Sequence, residues 1–490
     1  MLRFLCCAAA VAVATAAHAQ TPCVDGRAGP FECDGVTLQA LVGIADLGYP
    51  GGGGNDVWGW TDPQTGREYA LIGSTGGTSF VDVTEPAAPV VVGRLDTRAE
   101  GSGNTWRDVK TVGDHAYVVS EVGLFGGLGY GIQVFDLTRL RDVASPPVVF
   151  DADALYEGFG HAHNIVALPE RGLVAGVLTD TCGGGFHFVD VSDPLAPAFA
   201  GCVSDGRSHD GQCVIYTGPD PDHQGSTICV GANESFVSIL DATDLASPVV
   251  LSRAVYPNVG YTHQGWFTED QRYFLLNDEG DETGSSPTRT LVFDFADLDN
   301  PVYAGHHDGT TPAIDHNLYT RGDLVFQANY HSGLRVLEMG DLSEAELTEV
   351  AFFDTVPGSN AASFGGAWSV YPYFPSGTVV VSDTRGLYVL TVDGFNPVGT
   401  AGAPETAVPR LSVFPNPAAG AAQLRLSLAE AGPVRVEVFD VLGRRAALLH
   451  DGAVATDGLR LSTGTLPAGT YVVRARGAGF VATERLTVTR

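Results

Sequence analysis

The sequence predicts an all-β protein: a seven-bladed β-propeller followed by a small C-terminal β-sandwich. Two observations carry that expectation. A short phrase, an apolar doublet and then an acidic residue, recurs as Phe80-Val81-Asp82, Val134-Phe135-Asp136, Phe188-Val189-Asp190, Ile239-Leu240-Asp241, Val292-Phe293-Asp294 and Val336-Leu337-Glu338. A degenerate seventh copy lies at Tyr388-Val389-Leu390, and successive copies stand about 44 to 54 residues apart, close to the period of a propeller blade. Between Gly51 and Asp393 the text is short β-branched and aromatic runs broken by Gly, Asp, Asn and Pro, with helical periodicity only at 342–347. Many short strands at that spacing select a propeller over a sandwich.

Taken in order, residues 1–19 read as a signal peptide. Arg3 gives the positive start, Phe4 to Ala14 an apolar stretch too short to span a bilayer, and Ala17-His18-Ala19 the small residues before a cut at Gln20. Residues 20–50 form an N-terminal cysteine-containing segment, and 51–395 the propeller, with blades starting near Asn55, Trp106, His161, His209, His263, His316 and Trp368. Pro follows several phrases (Pro86, Pro194, Pro248, Pro301), as expected where a strand stops donating ladder hydrogen bonds. Residues 396–410 are a linker poor in large apolar side chains. From 411 to 490 the charge turns mildly basic and short alternating strands return at 423–428, 434–439, 471–475 and 485–488, the β-sandwich.

Composition narrows the partners. The net charge is −30, and Lys110 is the only lysine. Such a surface repels nucleic acid and anionic membranes. No later segment holds about 18 uninterrupted apolar residues, so no transmembrane segment is expected. With Cys6 and Cys7 in the signal, six cysteines remain. An even number in an oxidising compartment predicts local disulfides Cys23–Cys33, Cys182–Cys202 and Cys213–Cys229. Zinc thiolate is the rival reading, although the chain has no C-x-x-C pair.

Aligning the blades puts polar residues in register at their starts: Asp56, Asp108, His163, His209 with Asp210, His263, and His316 with Asp315, while the seventh has Trp368. On innermost strands these form a ring around a channel. Imidazoles and carboxylates there suit a transition metal, with His163, His209, His263 and His316 as ligands and Asp108, Asp210 or Asp315 orienting imidazoles or acting as base. The alternative is a set of polar residues bonded to channel water or to the next blade. A second series, Glu121, Asp180, Asn233, Glu234, Asp278, Glu279, Asn329 and Asp383, follows one strand later, and the sequence leaves open which mouth it faces. Asp278, Glu279, Asp281 and Glu282 read either as calcium ligands around Gly280 or as a solvated turn. Trp58, Trp60, Trp106, Tyr261, Trp266, Trp368, Tyr371 and Tyr373 either stack on sugars at a mouth or fill the core between blades. The chain has no G-x-S-x-G elbow, H-E-x-x-H helix or P-loop, and no helix follows Gly51-Gly52-Gly53-Gly54 to make a phosphate cradle.

Two resemblances add to this. Phe414-Pro415-Asn416-Pro417, Val436-Glu437-Val438-Phe439-Asp440-Val441-Leu442-Gly443-Arg444 and Leu466-Pro467-Ala468-Gly469-Thr470-Tyr471 resemble the C-terminal sorting domain of type IX secretion. That resemblance implies export through the type IX machinery, with the product released or attached at the outer-membrane surface. Stretches such as Asn55-Asp56-Val57-Trp58, Trp106-Arg107-Asp108-Val109, Ala162-His163-Asn164-Ile165, His209-Asp210-Gly211-Gln212, Thr262-His263-Gln264-Gly265 and Asp315-His316-Asn317-Leu318 resemble the choice-of-anchor B proteins with LVIVD-type repeats. This second resemblance implies fold and location but little chemistry. The expected function is a secreted or surface-attached binding propeller with an unknown extracellular ligand. The alternative is a metal-dependent hydrolase or lyase with its site in the channel.

Overall fold

The structure is a computed structural model. It describes residues 20–98, 106–121, 130–282 and 286–395, then 410–414, 418, 423–427, 432–440, 444–454, 459–462, 466–477 and 480–489. The signal peptide at 1–19, nearly all of the 396–410 linker, and parts of the sorting motifs (415–417, 441–443) lie outside the described residues. The chain forms two compact units, Met1–Gly399 and Thr400–Arg490.

The described residues of the first unit are all-β, with only short 3-10 turns besides strands. Among them, seven sheets follow one another along the chain, antiparallel except for one added strand in the first. Their leading strands are Gly54–Thr61, Arg107–Val112, Asn164–Leu168, Asp210–Ile215, Thr262–Phe267, Asn317–Arg321 and Ala367–Tyr371. Six begin within one residue of an expected blade start, and the third begins at Asn164, three residues past the expected His161. The second and third strands of a sheet are covered on both faces and read as continuous apolar runs, as in the fully buried Glu68–Ser74 and Gly77–Asp82. Fourth strands such as Val249–Ala254 are largely exposed.

The recurring phrase sits on the third strand of every sheet, and its acidic residue has a local task. The carboxylates of Asp82, Asp136, Asp190, Asp241 and Asp294 each accept the backbone N–H two residues on, at 2.8–3.0 Å. These are Asx turns that end the strand and aim the chain toward the next one. The repeat therefore marks a turn, not a ligand.

Residues 20–50 are not a separate segment. Val36–Gly43 is the fourth strand of the seventh sheet, antiparallel to Gly386–Val392 from the far end of the unit. Phe31–Asp34 extends the sixth sheet beside Leu347–Phe353. The second sheet has a fourth strand of only three residues, Ala154–Tyr156, while the preceding Val148–Phe150 pairs in parallel with Val90–Asp96 of the first sheet. The periodicity at 342–347 is a 3-10 turn, Leu342–Glu344, capped by Asp341.

All three expected disulfides form, with Cα separations of 5.9 Å (Cys23–Cys33), 5.4 Å (Cys182–Cys202) and 4.1 Å (Cys213–Cys229). Cys213 and Cys229 are directly opposed on the first two strands of the fourth sheet. All six described cysteines are bonded, which leaves no free thiolate among the described residues for zinc.

The second unit has a three-stranded sheet (Arg410–Phe414, Gln423–Ser427, Leu459–Ser462) and a four-stranded one (Arg445–Val454, Gly432–Asp440, Gly469–Gly477, Phe480–Val488). Alternating Val434, Val436, Val438, Val473 and Ala475 join Leu424 and Leu486 in its core. Among the described residues no helix is long and apolar enough to cross a membrane.

Candidate functional site

Each leading strand is preceded or opened by a residue whose position the backbone fixes. His163 and His209 donate their N–H groups to Val177 and Ala232 at the end of the neighbouring strand. This places side chains from six successive sheets in one row: Trp106, His163, His209, His263, His316 and Trp368. Neighbouring ring centroids are 5.9, 4.2, 4.3, 4.4 and 4.8 Å apart. Three rings are pinned the same way. Nδ1 of His209 meets the His263 carbonyl (3.3 Å), that of His263 the His316 carbonyl (2.8 Å), and that of His316 the Trp368 carbonyl. A carbonyl only accepts, so Nδ1 carries the proton and Nε2 presents a lone pair. His263 Nε2 is buried and has no hydrogen-bond partner.

His163 differs. Its Nδ1 contacts Glu121, and although burial opposes the cation, this bond and the Glu121 charge raise its pKa. Burial first, and the neighbouring imidazoles second, push His209 well below the ordinary histidine value. Burial likewise lowers His263 and His316 to about 3. His209, His263 and His316 therefore present neutral imidazoles, the form that ligates metal.

Glu279 reaches the same row, with one oxygen 3.7 Å from His263 Nε2 and the other 3.8 Å from His316 Nε2. Tyr330 donates its hydroxyl to this carboxylate at 2.6 Å. Both Glu121 and Glu279 belong to the second acidic series, whose side the sequence left open. They reach the histidines because each follows a strand antiparallel to a leading strand, so its end returns to where that strand begins.

The ring aspartates occupy a layer of their own. Lys110 Nζ lies 2.7 and 2.8 Å from the two Asp108 oxygens and 4.7 Å above the Trp58 ring. Asp108 also accepts the Ile165 N–H, which ties the second sheet to the third. Asp56 accepts from Asn317 Nδ2 (2.9 Å) and Trp368 Nε1 (3.3 Å), and Asp210 from the Gly211 N–H (2.7 Å). Burial, and then Asp108, push Asp56 up to about 8; burial chiefly pushes Asp210 up to about 7. Asp315 is fully buried with both oxygens unpaired, and burial and Glu282 hold it well above the carboxylate range. The orienting role expected of Asp108, Asp210 or Asp315 falls instead to backbone carbonyls and Glu121. Lys110 was missed as part of this layer; its isolation in an acidic chain was the available signal.

The acidic turn divides its side chains among separate partners. Asp278 accepts from Tyr256 OH and from the N–H groups of Gly260, Tyr261 and Gly280 at 2.5–3.0 Å, which uses its lone pairs. Asp281 pairs with Arg289, Glu282 lies by Asp315, and Glu279 faces the histidines. The four expected calcium ligands thus point to four places. Among the aromatics, Trp58 packs with Trp266, Tyr319, Tyr371 and Tyr373 at 5.1–6.3 Å, a core cluster. Trp60 stacks on Tyr69. Of the aromatics singled out in the sequence, Trp106, Tyr261 and Trp368 border the histidine row.

Residues 412–489 match the secretion system C-terminal sorting domain. That tail implies secretion by the type IX route and surface attachment. No curated protein matches the chain. Among solved structures, the chain is similar to the computationally designed Ika8 protein at 9% identity and TM-score 0.42, over 69% of this chain and 83% of that one. A protein from Lactobacillus plantarum matches at 13% identity and TM-score 0.40, over 74% and 98%. TM-scores this low carry no argument about fold or function.

Proposed function

We propose that this protein is a secreted, surface-sorted, seven-bladed β-propeller that binds a divalent transition metal through the imidazole row at one mouth of its channel. The sorting tail supports the location. For the propeller, the leading strands of successive sheets lie against one another and Ala367–Tyr371 lies against Gly54–Thr61, as a closed ring requires. The Trp368–Asp56 and Asn317–Asp56 bonds cross the same seam. A strand from the start of the unit, Val36–Gly43, completes the last sheet and so fastens its two ends together, and the choice-of-anchor B resemblance belongs to this reading.

One observation carries the metal assignment: three neighbouring imidazoles commit Nδ1 to carbonyls and leave Nε2 unprotonated, one of them buried without a partner. An unpaired buried acceptor costs about 1–3 kcal/mol, a cost that coordination would remove. A metal-dependent hydrolase or lyase is the second reading, favoured by Glu279 beside the two Nε2 atoms. Elemental analysis of untagged protein dialysed against Zn²⁺ or Co²⁺ tests the first reading. About one ion per chain is expected, falling below a tenth in the His263→Ala/His316→Ala variant. Sub-stoichiometric metal that is the same in both proteins rejects it.

A further inference from the structure

We infer that His263, His316 and Glu279 form a three-ligand metal centre with an open coordination position that takes a small anionic oxygen donor, such as a carboxylate or hydroxamate. This rests on the metal-binding reading above and goes beyond it by naming the ligands, placing the ion between the fifth and sixth sheets, and leaving the coordination shell incomplete.

The geometry selects this trio from the longer row. Its ligand atoms all lie within 4.8 Å of one another. Two ligands each about 2.0–2.2 Å from a tetrahedral ion are separated by roughly 3.3–3.6 Å, and the two Glu279 oxygens lie 3.7 Å from His263 Nε2 and 3.8 Å from His316 Nε2, one oxygen to each imidazole. For one ion to hold all three, the carboxylate must turn so that a single Glu279 oxygen, or both together, faces the point between the two Nε2 atoms. The outer contacts are those of a ligand set: each imidazole is oriented through Nδ1 by a carbonyl, and the carboxylate is held by Tyr330, whose ring also lies 4.7 Å from that of His316. The independent sign of a ligand is the buried, unpaired His263 Nε2. His209 lies outside the trio, and His163 is engaged with Glu121.

Two imidazoles and one carboxylate leave one or more positions on the ion. Three-ligand protein sites of this kind hold water or substrate, whereas structural zinc sites close with four ligands. A divalent ion with one carboxylate keeps a net positive charge, which favours an anionic oxygen donor over a neutral one.

Cobalt(II) is the probe, because its visible absorption reports ligand number. Untagged, metal-free protein is expected to bind about one Co²⁺ per chain, with bands that shift on adding acetohydroxamate. Glu279→Gln is expected to weaken Co²⁺ binding at least tenfold. Tyr330→Phe, which removes only the hydroxyl holding Glu279, is expected to weaken it by about 10–100-fold. If Glu279→Gln unfolds, as judged by circular dichroism, Tyr330→Phe carries the test. Co²⁺ bound with wild-type affinity in both variants removes Glu279 from the ligand set. Co²⁺ bands unmoved by acetohydroxamate mean a closed site. Either result overturns this inference and leaves the metal-binding reading standing, whereas protein that binds no Co²⁺ overturns both.

Discussion

Lys110, the only lysine of the chain, is buried, with its ammonium held between the Asp108 oxygens and the face of Trp58. Its charge offsets part of the repulsion among Asp56, Asp108 and Asp210. Removing one partner of a buried pair leaves the other charge uncompensated, at a cost of about 3–5 kcal/mol. Lys110→Met is therefore expected to lower unfolding free energy by that order in urea titrations; a loss under about 1 kcal/mol would mean the cluster is already neutral without it. Asp56 makes a pH prediction. Its folded pKa is raised to about 8 from an unfolded value near 4, so between those values the folded state binds the extra proton. Stability from this group is fully present below pH 4 and is lost as pH rises toward 8. Asp56→Asn should flatten the stability profile across that window, measured as urea midpoints at pH 5 and 7.5; an unchanged slope would assign the dependence elsewhere. The histidines and ring aspartates were visible in the sequence because they recur in register. Their partners were not, since His263 Nδ1 bonds a carbonyl 53 residues away and Asp56 bonds Trp368 across 312 residues.

At the scale of elements, the pairing of Val36–Gly43 with Gly386–Val392 joins the two ends of the first unit. Gly386 begins that pairing at φ +147°, and a Cβ there would sit 2.1 Å from the Val42 carbonyl oxygen. Gly386→Ala combines an unfavourable backbone with a clash against backbone that cannot yield, and should cost about 2 kcal/mol or more. Gly322→Ala is the control: φ is +58° and nothing lies within 4 Å, so only the conformational cost of about 1 kcal/mol remains. Equal thermal shifts for the two variants would show that the seam tolerates separation. The strands themselves were legible, because apolar runs and Asx-turn residues are local signals. The assignment of residues 20–50 was not, because a strand at one end of a chain carries no local mark of its partner at the other.

The whole molecule carries one exported body and one sorting tail. Because the units are separately compact, a chain ending at Gly399 is expected to fold and to unfold cooperatively, as followed by circular dichroism, yet fail to reach the cell surface. Surface recovery of the truncated chain in fractionation would show that 412–489 is dispensable for export. An amine-reactive ester should leave Lys110 unmodified in the native protein and label it only after unfolding; native labelling would show that the buried ion pair opens. The sequence by itself determined the β class, the sheet period, the three disulfides and the sorting tail, since each is written in local pattern or short spacing. Only the tertiary structure decided that Glu121 and Glu279 face the histidines, that the acidic turn is spent on internal partners, and that the N-terminal strand closes the last sheet. Those outcomes depend on where antiparallel strands return in space and on which lone pairs the surrounding backbone has already taken.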